Sequence, residues 1–201
     1  MLDLRIDNAE IYDGSGSKPF TGSLGIKNGK IVSIGDSKRD AKERLNANGL
    51  ALMPGIIDNH THYDAQITWD PFVNPSTSLG VTTIVMGNCG FTIAPCRPAD
   101  RDLTIRNLTH VEGMPLKSLQ EGINWGFESF AEYMDMLVNR GVGPNVAVFC
   151  GHSSIRTYVL GNDAHKRAAT QKEVRQMKEI LREALHAGAC GFSTTRSAQH
   201  N

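Results

Sequence analysis

Ala51-Leu52-Met53-Pro54-Gly55-Ile56-Ile57-Asp58-Asn59-His60-Thr61-His62 opens with an apolar run and closes on two histidines spaced two apart. An apolar run of this length, bounded by turn residues, reads as a strand of a parallel sheet covered by helices. Working outward, residues 81–86, 145–150 and 189–193 repeat the pattern, so four such strands are expected, the first over 51–58. Two helices fit between them. In one, Thr170 and Glu173 form a capping-box pair, Val174, Met177, Leu181, Ala184 and Leu185 recur at helical spacing, and Gly188 ends the run. The other covers about 127–140, with Phe127, Phe130, Ala131, Met134, Leu137 and Val138 on one face and Gly141 as its stop. Residues 97–126 show no clear period and are expected to form a long excursion over the site.

Upstream the texture changes. Residues 1–51 alternate short apolar segments with turn residues, which predicts a small antiparallel sheet, whereas residues 52–201 carry the α/β pattern. Asn28-Gly29 separates two alternating segments, and a type I′ turn needs positive φ at both central positions. A hairpin over 23–35 follows.

Composition narrows the function. The 21 basic and 21 acidic residues cancel, so no long-range field favours nucleic acid or an anionic membrane. A small-molecule substrate fits better. The N-terminus has no basic-then-apolar leader, and no apolar stretch approaches the roughly 18 residues needed to span a bilayer. Four scattered cysteines in a chain this large read as reduced thiols of a cytoplasmic protein.

The chemistry concentrates at strand ends. His60 and His62 point to one face of their strand and can present two imidazoles to one ion, a donor pair suited to Zn²⁺. The bland alternative is a pair of polar loop residues. Gly87-Asn88-Cys89-Gly90 follows the second strand; Cys89 is either a third, thiolate ligand or an inert buried thiol. Cys96, Cys150 and Cys190 are read as core. After the third strand, in Gly151-His152-Ser153-Ser154-Ile155-Arg156, His152 is open to a substrate-orienting or a structural role, while Arg156 is better read as tying down its own loop. Arg196, after the fourth strand, either anchors an anionic group of a substrate or faces solvent. His110, His165 and His186 are expected at the surface, and Glu112 is assigned no role.

Pro54-Gly55-Ile56-Ile57-Asp58-Asn59-His60-Thr61-His62 resembles the first-strand signature of the amidohydrolase superfamily. Gly87-Asn88-Cys89-Gly90 and Gly151-His152-Ser153-Ser154-Ile155-Arg156 are similar to segments of its D-aminoacylase (N-acyl-D-amino-acid deacylase) branch. The cysteine context separates the chain from hydantoinases and dihydroorotases. The resemblance implies an incomplete (β/α)₈ TIM-type barrel, about strands one to four, preceded by part of a small β-sandwich. It further implies one or two zinc ions bound through His60, His62 and Cys89, with His152 and Arg196 toward substrate. The implied reaction is hydrolysis of a linear amide, the deacylation of N-acyl-D-amino acids, carried out by the full-length form. Two more histidine ligands and a general-base aspartate are expected beyond Asn201, so no catalytic residue is assigned within the chain. A cyclic-amide or dipeptide hydrolase, or a catalytically incomplete metal-binding fragment, are the alternatives. Four barrel strands leave open edges, so a truncated chain able to self-associate through its exposed half-barrel is expected.

Overall fold

The structure, a computed structural model, describes residues 1–36 and 38–195, without the side chains of 110–112. Contacts divide it into two compact units, with the division between Gly55 and Ile56.

The first unit is one sheet: β1 (Leu2–Ile11), β2 (Phe20–Lys27), β3 (Lys30–Gly35), β4 (Ala41–Asn46) and the short β5 (Ala51–Leu52). Its order is β3-β2-β1-β4, with β5 also on β1. The expected hairpin is β2–β3: Lys27 pairs Lys30 across Asn28 and Gly29, whose φ values of 50° and 70° are those of the type I′ turn. The sheet is mixed, not antiparallel as expected, because β4 and β5 both run parallel to β1. Ala9, Ile11 and Ala47 form its small buried cluster.

The second unit is built on four parallel strands: β6 (Ile56–Asp58), β7 (Val81–Met86), β8 (Asn145–Gly151) and β9 (Gly191–Ser193), in the order β6-β7-β8-β9. That is half the strand number of a (β/α)₈ barrel, with the same sequential parallel order. The strand expected over 51–58 is two strands. Ala51–Leu52 pairs with β1, Pro54 lacks the N–H a ladder needs, and pairing with β7 begins at Ile56.

Among the described residues, five α-helices accompany the strands: α1 (Arg101–Glu112), α2 (Leu116–Gly122), α3 (Phe130–Arg140), α4 (His152–Leu160) and α5 (Gln171–His186). Both α3 and α5 start at full capping boxes, Ser129/Glu132 and Thr170/Glu173. Helix α3 therefore begins at Phe130, leaving Phe127 buried ahead of it, and Val138 is 77% exposed rather than on the packed face. Leu185 of α5 is likewise exposed, whereas Ala184 is buried.

The stretch 97–126, expected to lack regular structure, contains α1 and α2. Their buried faces are narrow and partly polar, Thr104, Ile105 and Leu108 on α1 and Leu119 on α2, which blurs the hydrophobic period. Alternate residues of the central strands, Ile84 and Met86 on β7 and Val148 and Cys150 on β8, enter one core with Ile93, Phe130, Tyr133 and Leu137. Cys96 and Cys150 are buried as expected. Cys190 is exposed, because the alternation that buries Ala189 turns its neighbour outward. The outer strands β6 and β9 carry exposed apolar side chains, Ile57 and Phe192 among them. No helix among the described residues is long and apolar enough to cross a membrane.

Candidate metal centre

Strand β6 ends at Asp58, whose Oδ1 accepts the His60 N–H at 3.3 Å. Thr61 is then pinned to β7: its N–H and its hydroxyl both donate to the Val85 carbonyl, each at 2.9 Å. Thr61 is buried, and in extended chain its two neighbours face the other way. Those neighbours are His60, exposed, and His62, half-buried, with ring centroids 5.4 Å apart.

Cys89 arrives from the other side by a reversal of the chain just past β7. Gly87, Cys89 and Gly90 all have left-handed φ (78°, 56° and 85°), a conformation costing a non-glycine residue roughly 1–2 kcal/mol. Packing enforces the glycine at 87, since a Cβ there would lie 2.4 Å from the Phe149 carbonyl oxygen. The same holds at Gly151, where a Cβ would meet the Gly90 oxygen at 2.5 Å. The Asn88 amide secures the turn, donating to the carbonyls of Thr61 (3.2 Å) and Val85 (2.9 Å). The buried Asp64 carboxylate accepts the Gly87 N–H at 3.1 Å, and Tyr133 donates to the Asp64 carbonyl at 3.0 Å.

The outcome is a Cys89 Sγ 3.3 Å from His60 Nε2, with one ligand atom from each of His60, His62 and Cys89 all within 4.8 Å of one another. A thiolate and an imidazole sharing a tetrahedral zinc at about 2.3 and 2.0–2.1 Å stand about 3.5 Å apart. Spacing and donor chemistry therefore both fit that ion.

His152 is the first residue of α4. Its Nδ1 lies 3.3 Å from Thr194 Oγ1, and its ring packs edge-on to Phe192 at 5.9 Å. Burial first, and the Arg156 charge second, hold its pKa below the usual 6.5, so the imidazole is neutral at neutral pH. It lines a cavity of about 570 Å³ together with Ser153, Arg156, Lys166, Arg167 and Thr194. Arg156 is spent on its own loop, donating to the carbonyls of Ala164 (2.7 Å) and Arg167 (2.5 Å). Arg167 is held in turn by Asp163 and Glu173. His165 and His186 are exposed. Arg196 lies outside the described residues.

The groups that brace the ligands carry little signature in the sequence. Asn88 stands inside a quoted motif, and an Asn preceding a cysteine between glycines is a usable sign of a left-handed turn. Asp64 gave no local sign, because its partner Gly87 is 23 residues away.

Residues 43–201 match the model of the amidohydrolase family. The chain is 36% identical over 194 residues to a D-aminoacylase of Alcaligenes xylosoxydans xylosoxydans, covering 96% of this chain and 37% of that protein. A crystal structure of D-aminoacylase superposes with a TM-score of 0.82 at 31% identity, over 96% of this chain and 38% of the other. An N-acyl-D-glutamate deacylase from Bordetella bronchiseptica, complexed with zinc and a phosphonate mimic of the tetrahedral intermediate, gives 0.77 at 32% identity over the same shares. The chain thus spans a little over a third of the length of the relatives it matches. With the family model matched over most of its residues and the fold shared with these hydrolases, the chain belongs to the amidohydrolase family.

Proposed function

We propose that this chain supplies zinc ligands His60, His62 and Cys89 to an enzyme that deacylates N-acyl-D-amino acids. The observation that carries the reading is the convergence of those three donors at the C-terminal ends of adjacent parallel strands, on a family background whose similar members include a D-aminoacylase and a zinc-containing N-acyl-D-glutamate deacylase. Zinc bound there lowers the pKa of a water toward about 7 and polarises an amide carbonyl.

The protein groups divide the remaining work. Thr61, Asn88 and Asp64 fix the ligands before any ion arrives, which limits the ordering cost of binding. His152, neutral and with Nδ1 turned to Thr194, keeps Nε2 for a substrate in the adjoining cavity. Lys166 gives that cavity positive charge suited to a carboxylate. Arg196 belongs to the same substrate-binding proposal. The general base is placed outside residues 1–201, and residues 1–51 are assigned to a sandwich portion with residues 52–201 in the barrel portion. A cytoplasmic setting is supported by the buried thiols Cys96 and Cys150. Self-association is supported by the exposed apolar side chains on the outer strands β6 and β9.

The test is zinc content and N-acetyl-D-amino-acid hydrolysis, measured on this chain and on one extended through its reading frame. Zinc in both and turnover in the extended chain is the expected result. Hydrolysis in neither would remove the deacylase reading.

A further inference from the structure

The turn that carries Cys89 is held from a third side, by a residue over a hundred positions away. Ser193, the last residue of β9, accepts the Gly90 N–H on its Oγ at 3.1 Å and donates its own proton to the Gly87 carbonyl. Those two backbone groups flank Cys89 in the chain. Left-handed φ at Gly87, Cys89 and Gly90 turns them out of the β7 ladder, and among the described residues no strand pairs with them. A hydroxyl suits the place because it donates and accepts at once. Close approach makes the bond possible: a Cβ at Gly90 would lie 3.3 Å from the Thr194 Cα.

We propose that Ser193 is a positioning residue for the Cys89 thiolate, so that the docking of β9 sets where Sγ stands relative to His60 and His62. The inference rests on the metal reading above and adds to it a ligand-orienting contact from a strand that carries none of the three ligands. Asp64 and Asn88 hold the turn to the β6–β7 side, and Ser193 holds it to β9. Without the hydroxyl, the Gly87 carbonyl and the Gly90 N–H lose their shared partner and the left-handed cysteine is free to relax toward ordinary backbone.

Cobalt(II) titration of the chain, followed by thiolate-to-metal charge-transfer absorption in the near ultraviolet, reads both affinity and the Cys89–metal bond. S193A is expected to bind about 10- to 100-fold more weakly with a shifted band, the usual range for loss of an orienting contact behind a ligand. S193T keeps the hydroxyl and is expected to restore band and affinity. An S193A that binds within about two-fold of the unsubstituted chain, with an unchanged band, overturns the proposal. C89A separates this from the metal reading: if C89A keeps the band, the ligand assignment itself fails. Should S193A not fold, amide exchange at Gly90 in the unsubstituted chain decides. Protection that deepens with cobalt's diamagnetic substitute cadmium is expected, and exchange at the rate of an open amide overturns the role.

Discussion

Cys89 and Cys150 stand near the C-terminal ends of neighbouring parallel strands, β7 and β8, and meet opposite fates. Cys150 is still within its strand. Regular alternation turns it into the core shared with the helices, and burial pushes its thiol up to about 12. Cys89 lies three residues past the end of β7, in a left-handed turn permitted by its flanking glycines, and its sulfur comes within 3.3 Å of an imidazole. Residue type does not separate the two. The backbone does: a strand continued by alternation delivers its cysteine to the core, and a strand broken by a glycine turn delivers it to the mouth of the sheet.

The largest expected effect is C89A, which removes one of three donors and should weaken zinc binding on the order of 100-fold by competitive chelator titration; C150A should leave that affinity unchanged. Next is G87A. Its methyl would press on the Phe149 carbonyl while positive φ strains it further, so chemical denaturation should show a loss of about 2–4 kcal/mol, with weakened zinc binding beside it. C150A sharpens the other side, costing about 1–2 kcal/mol of stability through its cavity and no metal. Alkylation gives a companion readout: at pH 8.5 the Cys150 thiol, protonated and buried, should stay unlabelled until the chain unfolds.

The smallest effect concerns His152, two residues past Cys150. Its folded pKa is below the unfolded 6.5, so the unfolded chain binds more protons as pH falls through that value. The stability it contributes is present in full above 6.5 and is lost below it. Denaturation midpoints from pH 8 to 5 should therefore decline less steeply in H152Q than in the unsubstituted chain. Parallel slopes would mean the imidazole protonates freely.

What the sequence disclosed follows the range of the forces involved. The Asn28-Gly29 hairpin and the Thr170/Glu173 cap are local, and both elements formed where the residues put them. The strand over 81–86 was read to the residue. Helix α3 starts about a turn later than the hydrophobic period suggests, because Phe127 keeps the period while Ser129 and Glu132 set the cap. Helix α4 carries no clear period in the sequence, because its buried face mixes Ser154 and Thr157 with Ile155 and Leu160. At the site, His60, His62 and Cys89 were visible as ligand chemistry in quoted motifs, and the structure brings them together. Their supports were not visible, since Thr61–Val85, Asp64–Gly87 and Ser193–Gly90 join residues that only folding makes neighbours.

X-ray absorption at the zinc edge of the metal-loaded chain tests the centre most directly. One sulfur near 2.3 Å and imidazole nitrogens at about 2.0–2.1 Å are expected, with the sulfur shell gone in C89A. A zinc shell of nitrogen and oxygen alone in the unsubstituted chain would contradict it.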